Sequence, residues 1–254
     1  MGLRLWVLAA AVAGASAAVA QPASQPTPDT RPPTRPEAAP EPAPEPPQTA
    51  AMAQPAAPGR EQFATSDFDH SACLLALTML GVRYQEQPPV TDPDNSGCGI
   101  DRPVLVQDIQ PGITLHGGAA MRCEMARSLA LWTREFARPA AARLPGAPQI
   151  SGYRLGSTYQ CRGRVGGDAG SGRMSEHAFG NALDIMAFTF ADAPDLAVEP
   201  REGSGQPEMA FQRAARATAC LFFTTVLGPG SDEAHDDHLH LDLAQRRGDW
   251  RLCQ

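Results

Sequence analysis

The sequence predicts an α+β fold in which a small antiparallel sheet is flanked by helices and stapled by disulfides. Segments with helical spacing and segments typical of strands follow one another without regular alternation, and this favours α+β over a regularly wound α/β architecture. The chain of 254 residues also contains six cysteines and begins with a segment that has the features of an export signal. Disulfides are therefore expected within the fold.

Three regions differ in composition. Residues 1–20 have the features of a signal peptide, with Arg4, an apolar run to Ala18 and a small-x-small site before Gln21. An uncleaved N-terminal anchor is the alternative. Residues 21–68 are a predicted Pro/Ala-rich disordered linker, because 13 of the 25 prolines fall between residues 21 and 60 and large apolar side chains are almost absent. The folded domain is predicted at residues 69–254 of a periplasmic or secreted protein.

Charge and hydropathy exclude two classes of function. A formal net charge of −7 argues against nucleic-acid binding by bulk charge. Apart from the possible N-terminal anchor, no segment is long and apolar enough for a transmembrane span of ~20 residues. All 21 basic residues are arginine, so besides histidine only arginine side chains can hold a substrate carboxylate.

The cysteines are predicted to form up to three disulfides and not a metal cluster. All of them lie in the predicted domain, at Cys73, Cys98, Cys123, Cys161, Cys220 and Cys253. An even set in an exported chain favours disulfides, but the sequence leaves the pairing open. A zinc cluster of cysteines is disfavoured because no two are close enough to form a CxxC unit.

The first half of the domain is predicted to contain a helix, a strand, a helix and a strand. Ser71–Val82 is a short apolar helix that Asp69 or Ser71 can cap. Gly99–Ile109 is a strand with flanking loops. Ala119–Ala137 carries apolar residues at helical spacing and is predicted to be a helix. Gln149–Arg154 is short, apolar and bounded by turn residues, as is typical of a strand.

The second half is predicted to contain a loop, a strand, a helix and a strand. The glycine-rich segment Arg162–Arg173 is a predicted mobile loop. The apolar Ala182–Phe190 is a strand. Pro207–Leu227 is a long helix, with proline at its start and Gly228-Pro229-Gly230 after its end. His238–Leu243 alternates polar and apolar residues and is a strand.

Histidine and aspartate residues in this second half form a candidate metal site. His238 and His240 are alternate residues of a predicted strand, so their side chains project to the same face. Asp184 lies in an apolar strand, where a carboxylate is costly to bury without a partner, and a metal ion would explain it. Gly180 lets the chain turn between His177 and that strand. The alternative is that His177 is an ordinary loop histidine and Asp184 a charge at the edge of a strand. The HxH pattern of residues 238–240 together with the HxxGxAxD pattern of residues 177–184 favours a metal site instead.

Three motifs carry a resemblance to known families. Ser175–Asp184 (SEHAFGNALD) resembles the SxHxxGxAxD motif of D-Ala-D-Ala metallopeptidases, and Ile150–Arg154 (ISGYR) resembles their SGYR element. Asp237–His240 (DHLH) resembles the closing HxH of the wider group that includes lysostaphin-type and hedgehog-type zinc domains. The whole stretch from Cys73 to Cys253 resembles the bacterial extensin-like C-terminal domain family.

The resemblance implies a role for each matching residue. His177, Asp184 and His240 match the zinc ligands of those enzymes. His238 matches the histidine that orients the zinc-bound water or stabilises the oxyanion. Arg154 matches the arginine that polarises the substrate carbonyl or holds a carboxylate.

The general base is the least defined of these roles. Asp237 stands where the D-Ala-D-Ala enzymes carry a glutamate base, but aspartate is shorter. On a regular strand Asp237 would also face away from His238. Glu233, His235 and Asp236 are the other nearby candidates.

The resemblance implies a zinc-dependent peptidoglycan peptidase, an endopeptidase or a carboxypeptidase that hydrolyses amide bonds in stem peptides or cross-links. Zinc is the expected cofactor and peptidoglycan the expected partner, and the protein is expected to be a monomer. One alternative is a non-catalytic zinc-containing module that binds the cell wall. Another is a disulfide-stapled structural domain without a metal.

Overall fold

The computed structural model describes residues 59–165, 172–203 and 205–254. The predicted signal peptide and most of the predicted linker lie outside these residues, as does the centre of the predicted Arg162–Arg173 loop. The last ten residues of the predicted linker, 59–68, contain a 3₁₀ turn at Arg60–Phe63. The ring of Phe63 packs 5.0 Å from the ring of Phe179, so this segment contacts the domain.

The described residues contain four α-helices. They are α1 (Asp67–Met79), α2 (Cys123–Trp132), α3 (Arg138–Ala141) and α4 (Pro207–Ala219). Ser66 caps α1, because its hydroxyl oxygen accepts a hydrogen bond from the backbone N–H of Asp69 at 3.1 Å. A π-helical stretch, Thr133–Ala137, joins α2 to α3. No helix in these residues is long and apolar enough to cross a membrane.

Eleven strands are present in the described residues. They are β1 (Arg83–Glu86), β2 (Val90–Thr91), β3 (Gly99–Ile100), β4 (Pro103–Gln110), β5 (Ile113–Arg122), β6 (Ile150–Leu155), β7 (Ala182–Phe190), β8 (Leu196–Ala197), β9 (Thr225–Leu227), β10 (Leu239–Asp242) and β11 (Leu252–Cys253). Nine of them form one sheet in the order β1-β4-β5-β6-β7-β10-β9-β11, with β8 pairing with β7. Strands β2 and β3 form a separate pair.

The α+β class and the disulfides are confirmed, but the prediction of a small antiparallel sheet is wrong. The sheet has nine strands in the described residues and is mixed, because β5–β6 and β9–β11 are parallel pairs. Strand β1 (RYQE) is mostly exposed, and β5 contains Gly117 and Gly118. The sequence of β1 lacks the alternating apolar pattern by which strands are recognised, and in β5 the two glycines interrupt the alternation that begins at Ile113.

All three predicted helices extend too far, and the first, predicted at Ser71–Val82, ends at Met79. Residues 119–122 belong to β5, where Met121 is opposite Val104 of β4 and is fully buried. Helix α4 ends at Ala219, and Thr225–Leu227 forms β9. The β-branched Thr224, Thr225 and Val226 favour a strand at this point, and pairing with β10 satisfies its backbone groups.

The core lies between the sheet and helices α2 and α4. Its largest fully buried side chains include Trp132, Tyr153 and Phe188, whose rings contact one another. The hydroxyl of Tyr153 has a hydrogen-bond partner in Thr133 at 2.9 Å, so its polar end is satisfied inside the core.

All six cysteines are paired. Cys73–Cys123 joins α1 to α2, and Cys220–Cys253 joins the end of α4 to β11. Cys98–Cys161 lies in a second, smaller apolar cluster, which we call the Phe179 cluster. It consists of Cys98, Ala178 and Phe179, with Phe63, Cys161 and Met174 packed against them.

Candidate metal centre

His177 is held by a tight turn directly before β7. Residues Glu176–Phe179 form one 3₁₀ turn, which Ser175 caps by accepting a hydrogen bond from the backbone N–H of His177 at 3.4 Å. The turn ends at Gly180, which has φ 60° and ψ 25°. A Cβ atom at that position would lie 2.3 Å from Cδ1 of Ile100, so both the backbone conformation and the packing require glycine.

Backbone register brings Asp184 and His240 together. Strands β7 and β10 are antiparallel, and these two residues are directly opposite each other. Opposite residues of an antiparallel pair share a face, so the two side chains meet. Oδ1 of Asp184 lies 2.9 Å from Nδ1 of His240.

The three predicted ligands converge on one point. Nε2 of His177 lies 3.2 Å from Nδ1 of His240 and 3.3 Å from Oδ1 of Asp184. All three residues are buried. Two imidazole nitrogens and one carboxylate oxygen at this spacing can hold a metal ion. We call these three residues the triad.

Hydrogen bonds outside the triad fix both imidazole rings. Nδ1 of His177 lies 2.8 Å from the backbone oxygen of Thr158, which can only accept, so that nitrogen carries the proton. Nε2 of His240 lies 3.1 Å from Oδ2 of the buried Asp242. Each contact leaves the other ring nitrogen free to bind a metal, as outer hydrogen bonds do in known metal sites.

The electrostatics of the triad without a metal ion favour a bound cation. Burial alone would raise the pKa of the Asp184 carboxyl, but His177 and His240 outweigh it and hold that pKa well below its usual range. Burial disfavours a charged His240, yet the Asp184 and Asp242 carboxylates raise the pKa of this imidazole to about 9. A proton on His240 therefore occupies a place that a metal ion would take.

His238 and Asp237 form a pair beside the triad. Nε2 of His238 lies 3.6 Å from Oδ1 of Asp184, and its Nδ1 lies 2.8 Å from Oδ1 of Asp237. The Asp237 side chain is 77% exposed, and it contacts His238 instead of lining the cleft onto which the triad opens.

The alternative bases fall into two groups. His235 is buried beside His238, and its Nδ1 lies 2.7 Å from Oδ1 of Asp232. Burial lowers the pKa of His235. Glu233 and Asp236 do not line the cleft, and Asp236 accepts a hydrogen bond from the backbone N–H of Gly230.

The triad opens onto a cleft with a volume of about 390 Å³. Its walls carry histidine, carboxylate and guanidinium groups from His235, His238, Glu176, Asp232, Asp242, Arg162, Arg164 and Arg246. Burial raises the pKa of Glu176, a carboxyl in this wall that accepts a hydrogen bond from Asn181 at 2.7 Å. The cleft therefore has the size and polarity to admit a small peptide.

The structure does not bring Arg154 into this cleft. The side chain of Arg154 is 55% exposed, and its guanidinium lies 3.6 Å from Oδ2 of Asp195. Strand β6 places Arg154 opposite Ala187, three residues beyond Asp184 along β7.

Sequence reasoning missed Asp242, Thr158 and Arg246. Asp242 had a recognisable signal, because His238, His240 and Asp242 are alternate residues and share one side of the chain. Thr158 acts through its backbone oxygen, which no side-chain pattern reveals. Arg246 lies after the end of β10 and has no motif around it.

The fold and the triad together define a disulfide-stapled α+β domain with a candidate metal centre on its sheet. The family described as Extensin-like protein C-terminus matches residues 71–254, and the chain belongs to this family. No curated protein and no solved structure matches the chain. The extensin-like resemblance is confirmed, and the likeness to zinc peptidases stays a prediction.

Proposed function

We propose that this protein is a zinc-dependent peptidoglycan peptidase that hydrolyses amide bonds in stem peptides or cross-links. The convergence of His177, Asp184 and His240 at the base of an open cleft is the observation that carries the proposal. The motif resemblance to D-Ala-D-Ala metallopeptidases supports the substrate class.

The spacing of the triad fits zinc. Ligand atoms about 2.0–2.1 Å from a tetrahedral zinc ion are about 3.3 Å from one another. The three separations in the triad are 2.9, 3.2 and 3.3 Å. Three protein ligands of this type are also the set that a catalytic zinc uses, and when bound it polarises a carbonyl and lowers the pKa of water to about 7.

The residues beside the triad have the arrangement that proton transfer requires. His238 presents Nε2 close to the triad while Asp237 accepts the proton of its Nδ1. A carboxylate in this position fixes the imidazole tautomer and stabilises the ring when it is protonated. His238 is therefore the proposed general base and acid, and Asp237 is a positioning residue that sets its orientation.

A non-catalytic, zinc-containing wall-binding module is the second candidate. The position of Arg154 favours it, because the arginine expected to act on the substrate carbonyl pairs with Asp195 outside the cleft. A domain that binds peptides without cleaving them does not need that group.

Digestion of purified sacculi distinguishes the two candidates. The zinc-reconstituted full chain is incubated with sacculi, and the products are separated by muropeptide chromatography. We expect new or lost muropeptides with the wild type and with His116→Ala, whose imidazole contacts Thr189 away from the cleft. Sacculi incubated with the His240→Ala variant should give the same muropeptide profile as untreated sacculi.

A wild-type profile identical to that of His240→Ala, in protein that retains stoichiometric zinc, would rule out catalysis and leave the binding module. A zinc content far below one ion per protein molecule after reconstitution would exclude both candidates, because both require the metal.

A further inference from the structure

Two guanidinium groups in the cleft contact only neutral acceptors. Arg246 donates to the backbone oxygen of Thr224 at 2.9 Å and to the hydroxyl of Thr225 at 2.6 Å. Arg162 donates to the side-chain oxygen of Gln160 and to the backbone oxygen of Gly163. Within the described residues, no carboxylate pairs with either group.

The carboxylates of the same cleft are already engaged. Asp184 belongs to the triad, Asp242 contacts His240, and Asp232 contacts His235. Glu176 accepts from Asn181 and lies 3.5 Å from the guanidinium of Arg164. Burial raises the pKa of Glu176, and the nearby charge of Arg246 counters part of that rise without forming an ion pair. The unused N–H donors of Arg246 and Arg162 are therefore available to an anion, in a chain whose net charge is −7.

Arg246 is held rigidly. Besides its two hydrogen bonds, its guanidinium carbon lies 5.0 Å from the centre of the Trp250 ring. A guanidinium has more N–H donors than the two acceptors use, so donors remain for a ligand. A side chain that is already ordered loses less conformational entropy when it binds.

A short relay places Arg246 next to the triad. Its guanidinium contacts the hydroxyl of Thr225, and Thr225 is opposite Asp242 in the β9–β10 pair. Asp242 in turn contacts Nε2 of His240 at 3.1 Å. Two side chains therefore separate the guanidinium from a metal ligand.

We infer that Arg246 is a substrate-binding residue that holds a carboxylate group of a peptide lying across the triad. The planar guanidinium matches the two oxygens of a carboxylate, and such paired hydrogen bonds are stronger than neutral ones. The inference rests on the proposed function, because it takes the ligand to be a peptide. It moves to Arg246 the role that the sequence predicts for Arg154.

Calorimetric titration of the zinc-loaded full chain tests this inference without requiring turnover. The probes are N-acetyl-D-Ala-D-Ala and the same peptide with a C-terminal carboxamide. A third probe, N-acetyl-D-Ala-D-Glu with its C-terminus amidated, shows whether a side-chain carboxylate is accepted instead. We expect the wild type to prefer a carboxylate-bearing probe over the carboxamide by at least about tenfold.

The Arg246→Gln variant should lose that preference while keeping its zinc content. Arg246→Lys should retain part of it, because an ammonium keeps the charge but not the fork of donors. The matched control is Arg216→Gln, since Arg216 also donates to a backbone oxygen, that of Pro229, but does not line the cleft. This control should behave as the wild type does.

Three results would overturn the inference: equal wild-type affinity for all probes, no measurable binding of any probe, or a carboxylate preference that survives in zinc-loaded Arg246→Gln. Undigested sacculi together with an Arg246-dependent carboxylate preference would instead refute the peptidase activity alone. The inference and the proposed function can therefore fail separately.

Discussion

Replacing Asp242 by asparagine should weaken zinc binding while leaving the fold intact. Oδ2 of Asp242 lies 3.1 Å from Nε2 of His240, and Oδ1 accepts the backbone N–H of Ala244 at 2.9 Å. The carboxylate thus serves two donors with two oxygens. An amide has only one oxygen, so either the imidazole or the backbone N–H loses its acceptor in a buried place.

The magnitude follows from these contacts. Loss of an outer hydrogen-bond partner typically lowers metal affinity by about 10–100-fold. At about 1.36 kcal/mol per factor of ten, this corresponds to about 1.4–2.7 kcal/mol. The burial of Asp242, which is only 5% exposed, and its charge favour the upper half of that range, because buried charge-assisted hydrogen bonds are the strong ones.

Competition with a chromophoric zinc chelator measures the affinity, and circular dichroism checks the fold. Asp232→Asn is the matched control, since Asp232 also pairs with a histidine of the cleft, His235, that is outside the triad. We expect this control to bind zinc as the wild type does. Zinc affinity of Asp242→Asn within twofold of the wild type would show that Asp242 does not orient His240.

Three further predictions address proton transfer, disulfides and pH. His238→Gln should reduce the rate of sacculus digestion by about 10²-fold or more, as expected for a general base, without changing zinc affinity; a loss of zinc would instead make His238 a ligand. Replacing both cysteines of the Cys98–Cys161 bridge by serine, or both cysteines of Cys73–Cys123, should lower the free energy of unfolding by about 2–4 kcal/mol in each case. Only the loss of the Cys98–Cys161 bridge should also weaken zinc binding. Equal zinc affinity in the two variants would disprove that difference. Zinc affinity should rise about tenfold per pH unit through the interval from about 6.5 to about 9, because the metal must displace a proton whose pKa is raised to about 9 on His240. The raised pKa of His240 also stabilises the metal-free fold, fully below about pH 6.5 and no longer once the pH has risen through about 9. The melting temperature measured in chelator should therefore fall between these two pH values. Zinc affinity that does not change over this interval would mean that no proton is displaced and that His240 is already neutral there.

The members of the candidate metal site could be predicted because they depend on short-range patterns. His177, Asp184 and His240 lie in two short motifs, and the strand that carries Asp184 was predicted at the bounds that the structure has. The outer contact of His177 could not be predicted in the same way. Thr158 is reached only when β6 continues past the sheet so that its carbonyl faces His177, and this depends on tertiary placement.

The size of the sheet depends on long-range pairing. Strands β4 and β10 have alternating or apolar sequences that identify them, whereas β1 and β11 are strands only because a neighbour supplies their hydrogen bonds. The error at Ala119–Arg122 has the same origin. Alanine, methionine and arginine are good helix formers, so this run suits a helix in isolation, but pairing with β4 fixes it in the sheet.

The triad combines two ligands that the sheet fixes and one that it does not. The spacing of Asp184 and His240 is set by backbone register, which cannot change without breaking the pairing of β7 with β10. His177 stands on a four-residue turn outside the sheet, and the turn depends on Gly180 and on the Phe179 cluster beneath it. Because Cys98–Cys161 belongs to that cluster, loosening this bridge acts on one ligand while the other two stay in place. Two ligands bind a metal ion less tightly than three. In the proposed metal site, His177 is therefore the one ligand that can be displaced without breaking the sheet, and the Cys98–Cys161 bridge is expected to hold it in place.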